Sequence, residues 1–290
     1  MTGVAAMGPL TSLFVPATRP DRYAKALAGG ADAVILDLED AVPADRKAQA
    51  REEAARLLAA RPGKPVQVRI NGLTTPWWEQ DLAALADCPG LTAVRLPKVE
   101  SAHQVRAAVA LLGRAVVLHC TIESALGIEA AFEIARAHPR VGSIGLGEAD
   151  LAGDLGVADA SGLVWARARI VVAARAAGLP SPAMSVYPDL ADEQGLFDSC
   201  LAGRRAGFLG RAVIHPKQIP TVVRAFTPTP AEIDAAEATL AALSGAQILD
   251  GGTAVLADGR FVDRAMREAA ARVLALRDLI GAHAAAVREP

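Results

Sequence analysis

Short runs of β-branched and aliphatic residues alternate with longer runs rich in Ala, Leu, Arg and Glu along most of this chain. Short, nearly continuous apolar runs suit strands buried on both faces, and the longer amphipathic runs suit helices that cover them. The expected strands are residues 12–16, 33–38, 66–70, 93–96, 115–122, 141–146, 183–187 and 208–213. The expected helices are residues 21–28, 44–60, 76–86, 101–112, 125–137, 163–177, 192–206 and 217–225, with a longer loop before 163. Pro20 suits a first helical turn and Ser101 suits an N-cap. Eight strand–helix units within residues 1–225 predict an α/β fold, a closed parallel (β/α)8 barrel of the TIM type. A doubly wound open sheet generally needs fewer strands.

The alternation breaks after Phe226. Pro228 and Pro230 open a helical stretch at 231–243, and Gly251-Gly252 and Asp258-Gly259 flank apolar residues in a hairpin-like pattern. A last helix is expected over 264–279. Residues 1–225 are therefore expected to form the catalytic barrel, and residues 226–290 a helical and hairpin arm that packs outside it or on a neighbouring subunit. At 52% hydrophobic and 21% charged, the chain has the composition of a folded protein. Aromatics are only 4%, so its core is built from Ala, Val, Leu and Ile. A net charge of -2 gives no overall attraction to nucleic acid or an anionic membrane. Cys88, Cys120 and Cys200 form no paired motif. With no basic leader and no long apolar span, the expected location is the cytoplasm.

Chemistry in such a barrel gathers at the C-terminal ends of the strands. The polar residues expected there are Asp37, Glu39, Asp40, Arg69, Asn71, Lys98, Glu123, Glu148, Asp150 and His215. The set is rich in carboxylates and poor in His and Cys. Glu123 and Asp150, on neighbouring strand ends, suit one hard divalent cation such as Mg2+, whereas zinc would call for His or Cys partners. Helix capping is the competing reading, since Ser124 and Asp150 both stand where an N-cap could be. Asp37 and Glu39 share a face by period-two alternation. Asp37 ends a strongly apolar strand and needs a partner, for which Arg69 is the candidate. An Arg69 left unneutralised would be free to bind a carboxylate or a developing oxyanion. Gly145-Leu146-Gly147 lacks the third glycine of a dinucleotide fingerprint and follows the sixth strand. His119-Cys120 lies within a strand and reads as a satisfied histidine beside a core cysteine.

Several stretches together resemble the citrate lyase β-subunit-like (CitE-like) family of the HpcH/HpaI aldolase superfamily, which includes malyl-CoA and citramalyl-CoA lyases. They are Ser12-Leu13-Phe14-Val15-Pro16 with Arg19-Pro20, the run from Gly30 through Asp37-Leu38-Glu39-Asp40 to Val42, and Val68-Arg69-Ile70-Asn71. Leu96-Pro97-Lys98-Val99, Ile122-Glu123-Ser124-Ala125-Leu126-Gly127 and the run from Gly147-Glu148-Ala149-Asp150 to Gly156 continue the match. Gly207-Phe208-Leu209-Gly210-Arg211, Ile214-His215-Pro216-Lys217-Gln218 and Asp258-Gly259-Arg260-Phe261-Val262-Asp263 complete it. Ala17, the spacing of Glu148 from Asp150, and Arg264 depart from the usual pattern without removing a metal ligand.

The resemblance implies a barrel with a C-terminal arm that covers a neighbour's site, in a homotrimer or a dimer of trimers. It implies Mg2+, with Mn2+ as a substitute, held by Glu123 and Asp150. Arg69 and Glu123 then bind substrate, Arg19 and Lys25 lie near the CoA phosphates, and Asp37, Glu39 and Lys98 support the first set. Asp263 supplies a catalytic acid or base from the partner subunit. The implied activity is carbon–carbon cleavage of a β-hydroxyacyl-CoA such as malyl-CoA, citramalyl-CoA or citryl-CoA to an oxo acid and an acyl-CoA. A related thioesterase or synthase, a pyruvate-class aldolase without CoA, and a non-catalytic subunit of a lyase complex are the alternatives.

Overall fold

Parallel strand pairing organises the first of two structural units. The computed structural model describes residues 7–113, 115–245, 254–255 and 261–286. Gly8–Ala225 forms one compact unit, and the described part of Phe226–Pro290 belongs to a second. The chain runs β1 (Thr11–Pro16), α1 (Pro20–Ala28), β2 (Ala33–Asp37), α2 (Lys47–Leu57), β3 (Val66–Arg69), α3 (Trp78–Leu85), β4 (Ala93–Leu96) and α4 (Ala102–Leu112). It continues with β5 (Val117–Ile122), α5 (Ala125–Glu129), α6 (Ala131–Ala135), β6 (Val141–Leu146), α7 (Glu148–Leu155) and α8 (Val164–Ala176). Then come α9 (Glu193–Arg205), β7 (Arg211–Val213) and α10 (Ile219–Phe226).

The seven strands form one parallel sheet in the order β6-β5-β4-β3-β2-β1-β7. Every residue of β2 is buried, as a strand covered on both faces requires. Val34, Ile35 and Leu36 from β2, with Val68 from β3, Leu96 from β4, and Leu118 and Ile122 from β5, make an aliphatic core in place of an aromatic one. Helix α4 begins with the expected Ser101 cap, whose hydroxyl accepts from the Gln104 amide while Gln104 reaches back to the Ser101 amide.

The sheet curls so that its two end strands approach the same segment. Met184 forms a single parallel bridge with Arg211 of β7. A Cβ placed on Gly145 of β6 would lie 3.8 Å from the Ala183 carbonyl oxygen on the other side. The strand expected over 183–187 is thus reduced to one bridge. Pro180, Pro182 and Pro188 remove backbone donors from this stretch, which limits its ladder. The expected strand at 208–213 shortens to β7. The expected helix over 125–137 divides into α5 and α6 at Ala130, where ψ is 2°. The largest correction is α7, which occupies the segment expected as a loop. Gly153 within it and Gly156 at its end, with Leu151 its one buried side chain, explain the weak helical signal.

The second unit holds α11 (Pro230–Gly245), the antiparallel pair β8 (Ala254–Val255) and β9 (Phe261–Val262), and α12 (Arg264–Ala286). Arg277 ties α12 to Glu237 of α11 at 2.8 Å. Gly251-Gly252 and Asp258-Gly259 lie outside the described residues. Among the described residues, no helix is long and apolar enough to cross a membrane.

Candidate active site

A cavity of about 410 Å³ runs from the C-terminal strand ends down into the concave side of the sheet, and its lining is drawn from Phe14 to Ile214. At its mouth, ion pairs link five carboxylates, those of Asp37, Glu39, Asp40, Glu123 and Asp150, to two cations, Arg69 and Lys98. Asp37 and Arg69 end adjacent strands in register. Their contact is bidentate, with Arg69 Nε and Nη2 each donating to an Asp37 oxygen at 2.7 Å. Arg69 Nη1 lies 3.2 Å from Glu39 and 3.0 Å from Asp40. Its guanidinium also packs on the Phe14 ring, 4.9 Å from the centroid. Burial opposes the charge on Arg69, but the Asp37 hydrogen bonds and the three carboxylates hold its pKa above the ordinary value. The condition that would leave Arg69 unneutralised is therefore not met. Asp37 also accepts from the Glu39 and Ala41 amides, which fixes the turn after β2.

Lys98 follows β4 with φ 52°, the one positive φ outside glycine among the described residues. A left-handed lysine is a backbone conformation that surrounding structure must hold in place. Here Nζ donates to Glu39 Oε1 at 2.7 Å and sits 3.9 Å from both Glu123 and Asp150. Burial lowers the Lys98 pKa, but the Glu39 hydrogen bond and nearby carboxylates outweigh it and raise it overall. Glu39 is itself pushed up by burial, with Arg69 and Lys98 only partly offsetting that.

Glu123 stands just beyond β5, nearly buried, and Asp150 stands in the first turn of α7. Burial pushes the Glu123 pKa up to about 8, and a hydrogen bond with Asp150 pushes the same way. Neither acid caps a helix: Ser124 caps α5 through its hydroxyl, and Gly147 occupies the cap position of α7. The capping explanation is thereby removed for both. Two carboxylates crowded together, in a cluster with more acids than bases, form a donor set that a hard cation would relieve. Glu39 Oε2, buried beside them, has the Arg69 Nη1 ion pair at 3.2 Å but no hydrogen bond. Among the described residues no group of three or more His, Cys, Asp or Glu side chains is arranged to hold a metal. The pair therefore fits a cation that keeps several water or substrate ligands, as Mg2+ does, and not a cation caged by protein alone.

Gly147 makes this packing possible. A Cβ there would come 2.5 Å from Glu123 Cγ and 2.7 Å from Cδ. Gly147→Ala is expected to push the Glu123 carboxylate aside and weaken Mg2+ binding by about 10–100-fold, as disruption of a ligand's support commonly does. Isothermal titration with Mg2+ checks this, and unchanged affinity would separate Gly147 from the metal site.

Other strand-end residues are occupied elsewhere. Glu148 pairs with Arg167 at 2.5 Å. Asn71 binds Asp81 through its backbone and side-chain nitrogens. His215 Nδ1 accepts from the Lys217 amide. Arg19 is exposed and paired to Asp21, and Lys25 is exposed on α1. Asp263 caps α12 by accepting from the Met266 amide at 2.9 Å. Cys120 is buried, with its thiol pushed up to about 12, and His119 Nδ1 meets Ser143 Oγ at 2.6 Å.

The cavity wall holds one further basic residue. Arg95 of β4 lines the cavity beside His119 and Ser143. Its signal in sequence was an arginine inside an otherwise apolar strand, Ala93-Val94-Arg95-Leu96.

Comparison with known proteins agrees with this geometry. The family model described as HpcH/HpaI aldolase/citrate lyase matches residues 10–216. A (3S)-malyl-CoA thioesterase of Cereibacter sphaeroides is 37% identical over 278 residues, covering 94% of this chain and 96% of that protein. An L-malyl-CoA/beta-methylmalyl-CoA lyase of the same species is 34% identical over 307 residues, covering 93% and 95%. The structure of CitE from Mycobacterium tuberculosis in complex with magnesium, acetoacetate and coenzyme A is 35% identical, with a TM-score of 0.78, and covers 94% of this chain and 99% of that one. Because the family match spans all seven strands of the sheet and every acid of the cluster at their ends, the chain belongs to the HpcH/HpaI aldolase/citrate lyase family.

Proposed function

We propose that the protein is a Mg2+-dependent carbon–carbon lyase of the oxo-acid-lyase type, cleaving a β-hydroxyacyl-CoA such as malyl-CoA, citramalyl-CoA or citryl-CoA. The observation that carries the reading is the crowded Glu123–Asp150 pair at the strand ends of a chain in this family. Bound there, Mg2+ or Mn2+ would chelate the carboxylate and neighbouring oxygen of the hydroxy-acid end and act as a Lewis acid. Glu123 and Asp150 hold that ion. Arg69, fixed by Asp37, exchanges its Nη1 contact with the exposed Asp40 for the substrate oxygen and opposes negative charge there. Lys98 and Glu39 keep the neighbouring acids in position. In cleavage the hydroxyl loses its proton, and the bond from its carbon to the thioester α-carbon breaks. The carbonyl of the oxo acid forms, and the acyl-CoA enolate takes a proton at the α-carbon. Asp263 of a neighbouring subunit is the group that moves that proton.

The wider arrangement belongs to the same proposal. The segment at Ala183 and Met184 closes the sheet into a (β/α)8 barrel, residues 1–225 act as the catalytic domain, and residues 226–290 act as an arm over a neighbour's site. The assembly is a homotrimer or a dimer of trimers, located in the cytoplasm. Leu126, Val164 and Trp165 are exposed on the barrel unit, apolar surface of the kind that subunit contacts cover. Arg19 and Lys25, both exposed cations, receive the CoA phosphates.

The malyl-CoA thioesterase relative supports one second reading, in which water attacks the thioester. Incubation with malyl-CoA, citramalyl-CoA and citryl-CoA, with and without Mg2+, separates the two. An oxo acid plus a shorter acyl-CoA is the expected product. Free CoA with the intact hydroxy acid would establish the thioesterase, and no metal-dependent turnover of any of the three would overturn both.

A further inference from the structure

The cavity is electrically divided. The acids line one part of its wall, and Arg95 with His119 and Ser143 lines another. Arg69, Arg95, His119 and Ser143 sit at matching register positions on β3, β4, β5 and β6, forming one polar row across the concave face. The two arginines in that row have opposite circumstances. Arg69 is gripped by three carboxylates. Arg95 donates through Nε to the amide oxygen of Gln67 at 2.6 Å, and no carboxylate among the described residues pairs with it. Burial, then the charge on Arg69, pulls its pKa down to about 10. His119 cannot compensate it, because burial and the nearby Arg95 push the imidazole down to about 3 and leave it neutral. Gln67, His119 and Ser143 can orient an anion but supply no negative charge.

Arg95 is part-buried on the cavity wall, and no protein carboxylate among the described residues balances its charge there. The remaining guanidinium donors form a planar fork suited to a carboxylate. Arg95 lines the same cavity as Glu123 and Asp150, so it faces the acid half of a substrate held at that pair. One carboxylate of that half is already assigned to the metal.

We propose that Arg95, assisted by His119 and Ser143, binds a second carboxylate on the acid half of the substrate, so that the oxo acid released or consumed is a 2-oxo dicarboxylate. This inference rests on the lyase reading above. It assigns Arg95 a role in substrate selection, with no part in bond cleavage.

Calorimetric titration of the full-length protein in Mg2+ tests it without turnover. Two length-matched pairs serve as probes, oxaloacetate against 2-oxobutyrate and 2-oxoglutarate against 2-oxovalerate. In at least one pair the dicarboxylate is expected to bind on the order of tenfold or more tightly, the range of a hydrogen-bonded charge pair. Arg95→Met is expected to erase that preference while leaving the melting temperature of the unliganded protein little changed, because the side chain is part-exposed and holds no protein carboxylate among the described residues. Arg95→Lys, which keeps the charge but not the fork, should restore part of the preference. Equal binding within both pairs by the unmodified protein would overturn the subsite, whatever the variants do. So would a dicarboxylate preference that survives Arg95→Met. If none of the four acids binds in a Mg2+-dependent manner, the failure lies with the metal and lyase reading itself.

Discussion

Asp150→Ala is expected to abolish Mg2+-dependent turnover while the protein stays folded. Its side chain is 54% exposed and caps no helix, so its loss removes little packing. A surface substitution of this kind usually changes stability by no more than about 0.5 kcal/mol. The loss of an acid from a helix's first turn adds a few tenths of a kcal/mol, roughly. The chemical effect is far larger. In the proposed site two protein carboxylates hold the ion, so removal of one leaves Glu123 alone, and lost Lewis-acid stabilisation of several kcal/mol corresponds to about 10³ or more in rate. Circular dichroism should match the parent protein, and Mg2+ should no longer raise the melting temperature. Full activity in Asp150→Ala would remove it from the metal site.

The same pair gives a pH dependence with a definite sign. Glu123 has a raised pKa in the folded metal-free protein, near 8, against about 4.3 for a free glutamate. The folded state therefore binds more protons than the unfolded state between those values. Stability of the metal-free protein is expected to fall as pH rises through that window. Mg2+ must displace the Glu123 proton, so its stabilising effect should grow from pH 6 to pH 8. Melting curves at these pH values with and without Mg2+ check both trends. Glu123→Gln should flatten the metal-free trend, since its side chain does not titrate.

The same physics explains what could be read from the residues alone. Buried parallel strands leave a pattern of apolar runs, so β1 through β6 and the acids at their ends were visible as letters. The stretch at 183–187 met that pattern, but its prolines cannot supply a continuous ladder, so composition overstated it. Helix α7 failed the pattern because Gly153 and its polar face hide a helix whose one buried side chain is Leu151. Asp150 consequently looked like a loop acid or a cap when it is a first-turn residue beside Glu123. The row from Arg69 to Ser143 depends on inter-strand register, which no single strand encodes. His119 therefore reads as a satisfied histidine within its strand, and Arg95 as a lone polar letter in an apolar one. The Asp37–Arg69 pair was legible because a carboxylate ending an apolar strand needs a partner. What that pairing leaves of Arg69 for a substrate became visible only with Glu39 and Asp40 in place.

Asp263→Asn is expected to lower turnover by about 10²–10⁴, the usual contribution of a positioned acid or base. The observed role of Asp263 is to cap α12. Asparagine caps about as well as aspartate, so this substitution preserves the helix start and the melting temperature. It nevertheless abolishes proton transfer, because an amide cannot exchange a proton at neutral pH as a carboxylate does. A cap alone predicts no kinetic effect, whereas a proton-transfer group predicts a large one at unchanged stability. Asp263→Ala adds a control, since loss of the cap should cost roughly 1 kcal/mol on top of the kinetic defect. Supply of Asp263 from a neighbouring subunit has its own signature. Inactive Asp263→Asn and inactive Glu123→Ala subunits, mixed under conditions of proven exchange, should regain part of the activity, because some sites then combine an intact Glu123 with a partner's intact acid. No recovery would place Asp263 and Glu123 outside a shared site between subunits, and full turnover by Asp263→Asn alone would leave α12 capping as the residue's role.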